Sequence, residues 1–257
     1  MLNYSGIGTI SKYTFIEIYR SKVTALTIIL ACVILLVSYV AGEFTFGAPQ
    51  KTTLDFGLGI LSLSMAVLAI FIGSTIISKE IKDHTAYVIL TRPVSRAEFL
   101  IGKISGLALL LLLNAAVLGT VSLVNFSLLG GEINTPIVMA IFLSFLESMI
   151  ILLISVLISL IANVSLTIIV SSCIYILSFT LQGALQLSIL KYSILRKIII
   201  IFSYILPDFS RLNLKDLAIY SQNIEMMNVA YLFSYGLCYL FIIFILSVFL
   251  FRSIDLD

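Results

Sequence analysis

The chain has 257 residues, of which 61% are hydrophobic and 11% are charged. Soluble domains carry about 25% charged residues. Their cores also do not need repeated apolar runs of about 20 residues, the length that spans roughly 30 Å of hydrocarbon as an α-helix. The composition therefore excludes a soluble globular protein and predicts an integral membrane protein. The net charge of +2 decides little, because in membrane proteins the placement of Lys and Arg matters more than their sum.

The first 22 residues are polar to amphipathic and predict a helix at the membrane surface. Thr14 and Glu17 have the spacing of a capping box, and Phe15, Ile18 and Tyr19 fall on one helical face. We expect this face to rest on the bilayer before the first span. A contact with a partner protein would be an additional role for the same helix.

Six apolar segments are long enough to cross a bilayer, and Gly, Asn or Pro residues mark several of the turns between them. The predicted spans are residues 23–41, 54–78, 104–129, 137–161, 164–183 and 229–251. The alternative for the first is a cleaved signal peptide, but its apolar region is longer than the usual core of about 7–15 residues. Pro136 suits the first turn of the fourth span. Three cysteines fall inside spans, and we expect them to be small packing residues: Cys32, Cys173 and Cys238.

Residues 184–228 do not fit a simple span. Five basic residues interrupt them: Lys191, Arg196, Lys197, Arg211 and Lys215. We expect a re-entrant or interfacial helix over 188–206, a break at Pro207, and then a polar helix Leu212–Tyr220. A full seventh crossing at 188–206 is the alternative, and we prefer six spans because basic side chains are costly to bury in a membrane.

The distribution of basic residues predicts the orientation. With six spans, the amino terminus, residues 79–103 and Arg252 lie on one side of the membrane, whereas the loops at 42–54 and 130–136 hold a single basic residue, Lys51. Both termini and residues 79–103 are therefore predicted to be cytoplasmic. The basic residues of 184–228 then lie outside, against the rule.

Residues 79–103 are the longest well-charged interruption in the hydrophobic first half of the chain. Two i,i+4 pairs, Lys79 with Asp83 and Glu80 with His84, would support a short helix on a solvated face. His84, the only histidine, has no nucleophile or carboxylate arrangement that would indicate catalysis.

A turn and a second helix follow in the same stretch. Pro93 disfavours helical backbone at Arg92, and Ser95 with Glu98 forms a capping box for the next helix. We predict a short amphipathic helix, a turn and a capped helix that continues into the third span. An ordinary loop between spans is the alternative.

These residues resemble the signature of type-two ABC transporter permeases, the membrane-spanning subunits of an exporter family. The residues that carry the resemblance are Lys79-Glu80, Leu90-Thr91-Arg92-Pro93-Val94-Ser95-Arg96 and Gly102-Lys103-x-x-Gly106. The two ends of the chain are similar to those of the family as well, in Thr14-Phe15-x-Glu17-x-x-Arg20-Ser21-Lys22 and in Phe251-Arg252-x-x-Asp255-Leu256.

The resemblance implies a fold and a partner. The fold is an all-α membrane protein, a single permease domain over residues 1–257, with an amino-terminal amphipathic helix, six transmembrane helices, a cytoplasmic coupling helix and a re-entrant or interfacial segment before the last span. The coupling helix would dock on a cytoplasmic ATP-binding subunit through Lys79, Glu80, Asp83, His84, Arg92, Pro93, Ser95 and Arg96. His84 departs from the family pattern, which often has a small residue there.

The resemblance also implies the function. The chain would move an unidentified substrate, without ATPase activity or a cofactor of its own, because ATP and Mg bind the partner subunit. A second permease copy, identical or related, would complete a dimer in a prokaryotic cell membrane. No nucleic-acid partner is expected.

Glu147 and Asn114 are candidates for a polar site within the membrane. Glu147 lies near the middle of the fourth span, where an unpaired carboxylate is costly and should face the bundle interior. It could bind a substrate or proton, or it could form a hydrogen bond to a Ser or Thr, or to Asn114 of the third span. No spacing indicates a nucleophile–base pair or a metal site.

Two other function classes remain open from the sequence. A secondary transporter or channel would show internal repeats or broken spans that carry ion ligands. A membrane anchor of an assembly or maturation complex would use residues 207–228 to bind an extracytoplasmic protein.

Overall fold

The computed structural model describes residues 4–20, 22–44, 49–82, 95–186, 200, 206–215, 219 and 226–253. Within these residues the chain forms eight helices and no strand. The helices are α1 (Tyr4–Tyr19), α2 (Lys22–Phe44), α3 (Pro49–Lys82), α4 (Arg96–Leu128), α5 (Thr135–Ser159), α6 (Val164–Gln186), α7 (Phe209–Leu212) and α8 (Met226–Ser253).

The helices identify a multi-pass α-helical membrane protein. Four are long and apolar enough to cross a bilayer, over Pro49–Ile76, Arg96–Leu128, Thr135–Ser159 and Val229–Ser253. Shorter apolar stretches lie in α2 (Ala25–Val40) and α6 (Val164–Thr180). Each predicted span falls on one of these six helices. Several helices begin or end several residues beyond the prediction, because a helix ends where its backbone is capped and not where the hydrocarbon ends.

Helices α3, α4 and α5 form the centre of the bundle, and α3 packs most extensively against α5. Gly73 of α3 allows the close approach, because a Cβ atom there would lie 2.9 Å from the Cβ of Ser155 and 3.0 Å from the carbonyl oxygen of Leu152. Nearer the end of α3, the hydroxyl of Ser78 donates to the carbonyl oxygen of Ser159 at 3.2 Å. Small residues and hydroxyl bonds are the usual means by which membrane helices associate.

The outward faces of α2 and α8 are apolar and exposed, as in the side chains of Leu36, Tyr39, Phe241 and Phe249. All three cysteines are also exposed. The prediction that they are packing residues is therefore wrong. A thiol behaves as a small hydrophobe, so it is suited to a lipid-facing surface as well as to a helix interface.

Helix α1 packs along α4, and the capping box predicted for Thr14 is wrong. Because α1 begins at Tyr4, Thr14 lies inside the helix, where its hydroxyl donates to the carbonyl oxygen of Ile10 at 2.9 Å. The buried face is formed by Ser11, Thr14 and Ile18. Of the face predicted to rest on the bilayer, Ile18 is instead buried against the bundle, whereas Tyr19 is 47% exposed.

Two glycines of α4 allow α1 to pack closely against that helix. At Gly106 a Cβ atom would lie 2.7 Å from the carbonyl oxygen of Ser11 and 2.8 Å from the Cβ of Thr14. A backbone atom cannot rotate away as a side chain can, so a larger residue must push the two helices apart. Gly102 meets Ile10 in the same way, at 2.8 Å.

We expect Gly106→Ala to lower the free energy of unfolding by about 1–3 kcal/mol, the usual cost of overpacking a tight contact. Gly8→Ala in α1 is the matched control, because a Cβ atom there meets nothing within 4 Å. Replacing a helical glycine by alanine also stabilises the helix by up to about 1 kcal/mol. Because both variants share this gain, the difference between them reports the close contact at Gly106. Thermal unfolding of the purified proteins in detergent measures the difference, and equal midpoints for the two variants would contradict the close contact.

Candidate functional site

A capping box begins α4, as predicted. Ser95 has extended backbone at φ −74° and ψ 153°. Its hydroxyl accepts from the backbone N–H of Glu98 at 3.3 Å, and its own N–H donates to Glu98 Oε2 at 2.8 Å. Two backbone donors that have no partner within the helix are thereby satisfied. The start of α4 is therefore a defined position in the fold and not a frayed end.

The first turns of α4 also bind the last turns of α8. Arg96 Nη1 donates to the carbonyl oxygen of Arg252 at 3.4 Å. One turn further, the rings of Phe99 and Phe251 stack with their centroids 6.1 Å apart. Each of these two rings is 1% exposed.

The same turns also bind α1, through charge as well as packing. Lys103 is 5% exposed, and its Nζ lies 3.8 Å from Glu17 Oε2 and 6.0 Å from the centroid of the Phe99 ring. Residues 95–106, named here the α4 start, therefore connect the amino-terminal helix and the carboxy-terminal helix at one end of the bundle.

The predicted docking surface includes six residues besides Ser95 and Arg96, and none of the six belongs to the α4 start. Lys79 is an exposed residue of α3, which continues without a break through Ser78 to Lys82. The short helix predicted before the turn at Pro93 therefore overlaps the end of α3 at residues 79–82, and its continuation over residues 83–94 lies outside the described residues. Glu80 belongs to α3 too. The other four predicted residues fall outside the described residues: Asp83, His84, Arg92 and Pro93.

Glu147 lies in the bundle interior, as expected of a carboxylate in a span. It is 1% exposed on α5, and the hydroxyl of Tyr175 on α6 faces both its carboxyl group and Ser62 of α3. Across the described part of the chain, neither carboxyl oxygen has a hydrogen bond of normal length and angle. Three helices thus bring their polar groups together at one buried point.

Asn114 lies in a different contact. Its side-chain oxygen accepts from the hydroxyl of Thr27 on α2, and its amide donates to the carbonyl oxygen of Leu110 at 2.9 Å. The pairing with Glu147 considered above is therefore absent among the described residues. Tyr175, which faces Glu147 instead, was not singled out in the sequence, because a tyrosine in an apolar run looks like an ordinary hydrophobic residue.

A short segment, residues 206–215, packs into the bundle beside this polar cluster. Its helix α7 places Phe209 with its ring centroid 5.6 Å from that of Tyr175 and 6.4 Å from that of Phe179. Phe209 and Leu212 are completely buried. The prediction of a break at Pro207 is confirmed, because Pro207 and the capping residue Asp208 lie outside the helix.

The helix predicted from Leu212 is not continuous, because Asn213 and Leu214 leave the helical conformation. Polar contacts hold this part of the chain in place. Lys215 Nζ lies 2.7 Å from Asp55 Oδ1 at the start of α3.

Asp208 forms one contact within residues 206–215 and another with α8. Arg211 Nε lies 2.8 Å from Asp208 Oδ2, and the backbone N–H of Asp208 donates to the Tyr235 hydroxyl at 2.9 Å. Both described basic residues of the segment therefore lie beside a carboxylate.

A family model described as "ABC-2 family transporter protein" matches residues 15–183, about two thirds of the chain. The match includes the α4 start, Glu147 and Tyr175, and it ends before residues 206–215. A search of curated proteins finds no match.

We expect Ser95→Ala to cost about 0.5–2 kcal/mol of stability through the lost cap, whereas Ser95→Asp keeps an acceptor at the same place. Hydrogen exchange of the amides of residues 97–99 should accelerate in the alanine variant alone. Ser105→Ala is the control within the same helix, since that hydroxyl donates only to the carbonyl oxygen of Gly102, at 2.9 Å. Unchanged exchange in Ser95→Ala would show that the cap does not hold the helix start.

Proposed function

Because the chain belongs to the ABC-2 transporter family, a family of membrane transport components, we propose that it is the permease subunit of an exporter. It moves a substrate with energy from a separate ATP-binding subunit, which binds ATP and Mg. The observation that supports this most directly is the α4 start, a rigidly capped helix end that is tied to both α1 and α8. An end of this kind can pass a displacement into the membrane domain as a whole.

The proposed topology has six spans. Helices α2 and α6 have 23 residues each, and at 1.5 Å per residue this length covers roughly 34 Å, enough for the hydrocarbon layer. Lys79, Arg96 and Arg252 lie at helix ends that six spans put on one side. By the positive-inside rule that side is the cytoplasm. Both termini would then lie on the cytoplasmic side of a prokaryotic cell membrane.

The proposed docking surface is the chain between α3 and α4 together with its two flanks. A partner that pushes on this surface acts on the last turn of α3 and on the α4 start at once. The α4 start carries α1 with it through the contact of Gly106 with Ser11 and Thr14. It carries the end of α8 through the stacked pair Phe99 and Phe251. The two terminal helices would thus move with α4 when the ATP-binding subunit changes shape.

The complete transporter would contain two permease copies, identical or related, each above an ATP-binding subunit. Residues 206–215 lie at the opposite end of α3 from Lys79, through the ion pair of Lys215 with Asp55. In the proposed orientation this end is extracytoplasmic, so a partner on that side would meet this segment.

We assign the intramembrane polar site to Glu147 with Tyr175 and Ser62, and we assign a structural role to Asn114. Glu147 has no basic partner among the described residues, so its carboxyl group remains available to a polar group that enters when the helices separate. Asn114, by contrast, has both its oxygen and its amide engaged.

Charge reversal tests the docking surface. We expect Glu80→Lys and Arg96→Glu to reduce the ATPase stimulation by the membrane domain about ten-fold or more, because like charges placed across an interface cost more than about 1.4 kcal/mol. The measurement is ATP hydrolysis by the complex with the ATP-binding subunit that co-purifies with the chain. Lys51→Glu, an exposed change at the other end of α3, is the control. Full stimulation in both docking variants, at normal membrane abundance, would contradict the docking role.

Replacement of Glu147 tests the polar site. We expect Glu147→Leu to keep the thermal stability of the protein or raise it, because an apolar residue of similar volume removes a buried carboxyl group. Stimulated ATP hydrolysis should nevertheless fall, and Glu147→Gln should keep part of it. Ser155→Ala is the control on the same helix, because that buried hydroxyl donates to the carbonyl oxygen of Ile151. Normal stimulation in Glu147→Leu would leave the carboxyl group without a role in transport.

A further inference from the structure

Three polar side chains lie at the end of the bundle opposite the α4 start and have buried polar atoms without a hydrogen-bond partner. They are Ser38 of α2, Thr53 of α3 and Asn125 of α4. Ser38 and Thr53 are 4% and 1% exposed. Neither of their hydroxyl groups, nor the amide nitrogen of Asn125, forms a hydrogen bond with the described residues. Buried polar groups are nearly always satisfied, so each of the three requires an explanation.

The packing of α3 against α4 places Thr53 and Asn125 at the same height. The two helices touch where a Cβ atom on Gly57 would lie 2.9 Å from Ser122 Oγ. Thr53 precedes Gly57 by four residues and Asn125 follows Ser122 by three, which keeps each on the contacting face of its helix. Because the helices run in opposite directions, both steps lead about one turn toward the end of α4.

A hydrogen bond between α3 and α4 limits this place on its outer side. Gln50 Nε2 donates to the carbonyl oxygen of Leu129 at 2.8 Å, about one turn beyond both Thr53 and Asn125. The two polar side chains are therefore held between a tight helix contact and a hydrogen bond. Neither of these contacts uses the hydroxyl of Thr53 or the amide of Asn125.

Helix α2 brings Ser38 to the same height. Its buried residues Thr27, Ile34 and Ser38 have the spacing of a single helical face. The hydroxyl of Thr27 donates to the side-chain oxygen of Asn114 on α4, and α2 runs in the same direction as α4. Ser38 follows Thr27 by eleven residues, and Asn125 follows Asn114 by eleven. Both therefore lie about three turns beyond that contact.

The chemistry of this place selects a small, uncharged ligand. The buried faces of the three helices carry only hydroxyl, amide and apolar side chains over these turns, so an ion would lose its hydration without gaining an opposite charge. Serine and threonine side chains are short, and hydroxyl groups on neighbouring helices meet directly only where the backbones touch. A water molecule both donates and accepts, and a buried one makes about three hydrogen bonds to groups that have no other partner.

We propose that Ser38, Thr53 and Asn125 bind one water molecule that bridges α2, α3 and α4. The Asn125 amide donates to it, and each hydroxyl group can donate or accept. The water links α2 to the centre of the bundle at this end, whereas at Thr27 the link to α4 is direct. The proposal depends on the packing of three helices and is independent of the substrate and of the ATP-binding subunit.

X-ray radiolytic footprinting tests the proposal, because a pulse converts bound water into hydroxyl radicals that oxidise the side chains beside it. The full chain is irradiated in vesicles of phosphatidylethanolamine and phosphatidylglycerol. Mass spectrometry gives the oxidation rate of each side chain, divided by the rate of the free amino acid. We expect Leu54 and Phe126, buried next to the site, to react several-fold faster than Leu61 and Leu118, which are buried on the same two helices away from it.

Matched variants separate a bound water from bulk water at the end of the bundle. Asn125→Leu removes the amide and fills its space with apolar atoms, so the oxidation of Leu54 and Phe126 should fall to the level of the comparison residues. Ser38→Ala leaves two partners for the water and should lower the oxidation in part. Ser144→Ala is the control, because that buried hydroxyl donates to the carbonyl oxygen of its own helix at 2.9 Å, and it should change nothing.

Two results would overturn the proposal. One is oxidation of Leu54 and Phe126 no faster than that of the comparison residues in the unmodified chain. The other is fast oxidation that persists in Asn125→Leu, since the radicals would then come from bulk water. Should Asn125→Leu fail to fold, the combined variant Ser38→Ala, Thr53→Val and Asn125→Leu removes all three groups at once and leaves none of them unsatisfied, and the same loss of oxidation is expected.

Discussion

The start of α4 is the constraint on which one end of the bundle depends. In a membrane domain without a large soluble part, the helix ends decide how one span is positioned against another. At the α4 start, a serine and a glutamate satisfy two backbone donors, and this fixes the first residue of the helix. The positions of α1 and of the last turns of α8 follow, because both pack on the turns that come next.

The short-range features of the chain could be predicted from its sequence. The apolar segments, the Ser95 cap, the first turn at Pro136 and the break at Pro207 each depend on residues close in sequence, whose local chemistry has few alternatives. All four agree with the structure. The Thr14 cap had the same spacing and was wrong, because α1 extends ten residues before it. A capping motif indicates a helix start only where the preceding residues do not already form helix.

The contacts between distant residues could not be predicted. Nothing near Tyr175 indicates that it faces Glu147, because many pairings of α5 with α6 satisfy the same hydrophobic pattern. The cysteines show the same limit for residues at the surface of the bundle, whose exposure could not be predicted from the sequence. In a soluble protein an apolar span must be buried, whereas in a bilayer the lipid accepts apolar side chains as readily as another helix does. Hydrophobicity alone therefore says that a residue lies in the membrane but not which way it faces.

The ion pair of Asp55 and Lys215 has a consequence for the order in which the protein is made. The rest of α3, then α4, α5, α6 and the short α7, lie between the two residues, and synthesis proceeds from the amino end. Asp55 is therefore without Lys215 while α3, α4, α5 and α6 enter the membrane. When Lys215 is synthesised, its ion pair with Asp55 connects two distant parts of the chain at one end of the bundle. The pair thus belongs to the last steps of assembly, after the helices that it holds together are already inserted.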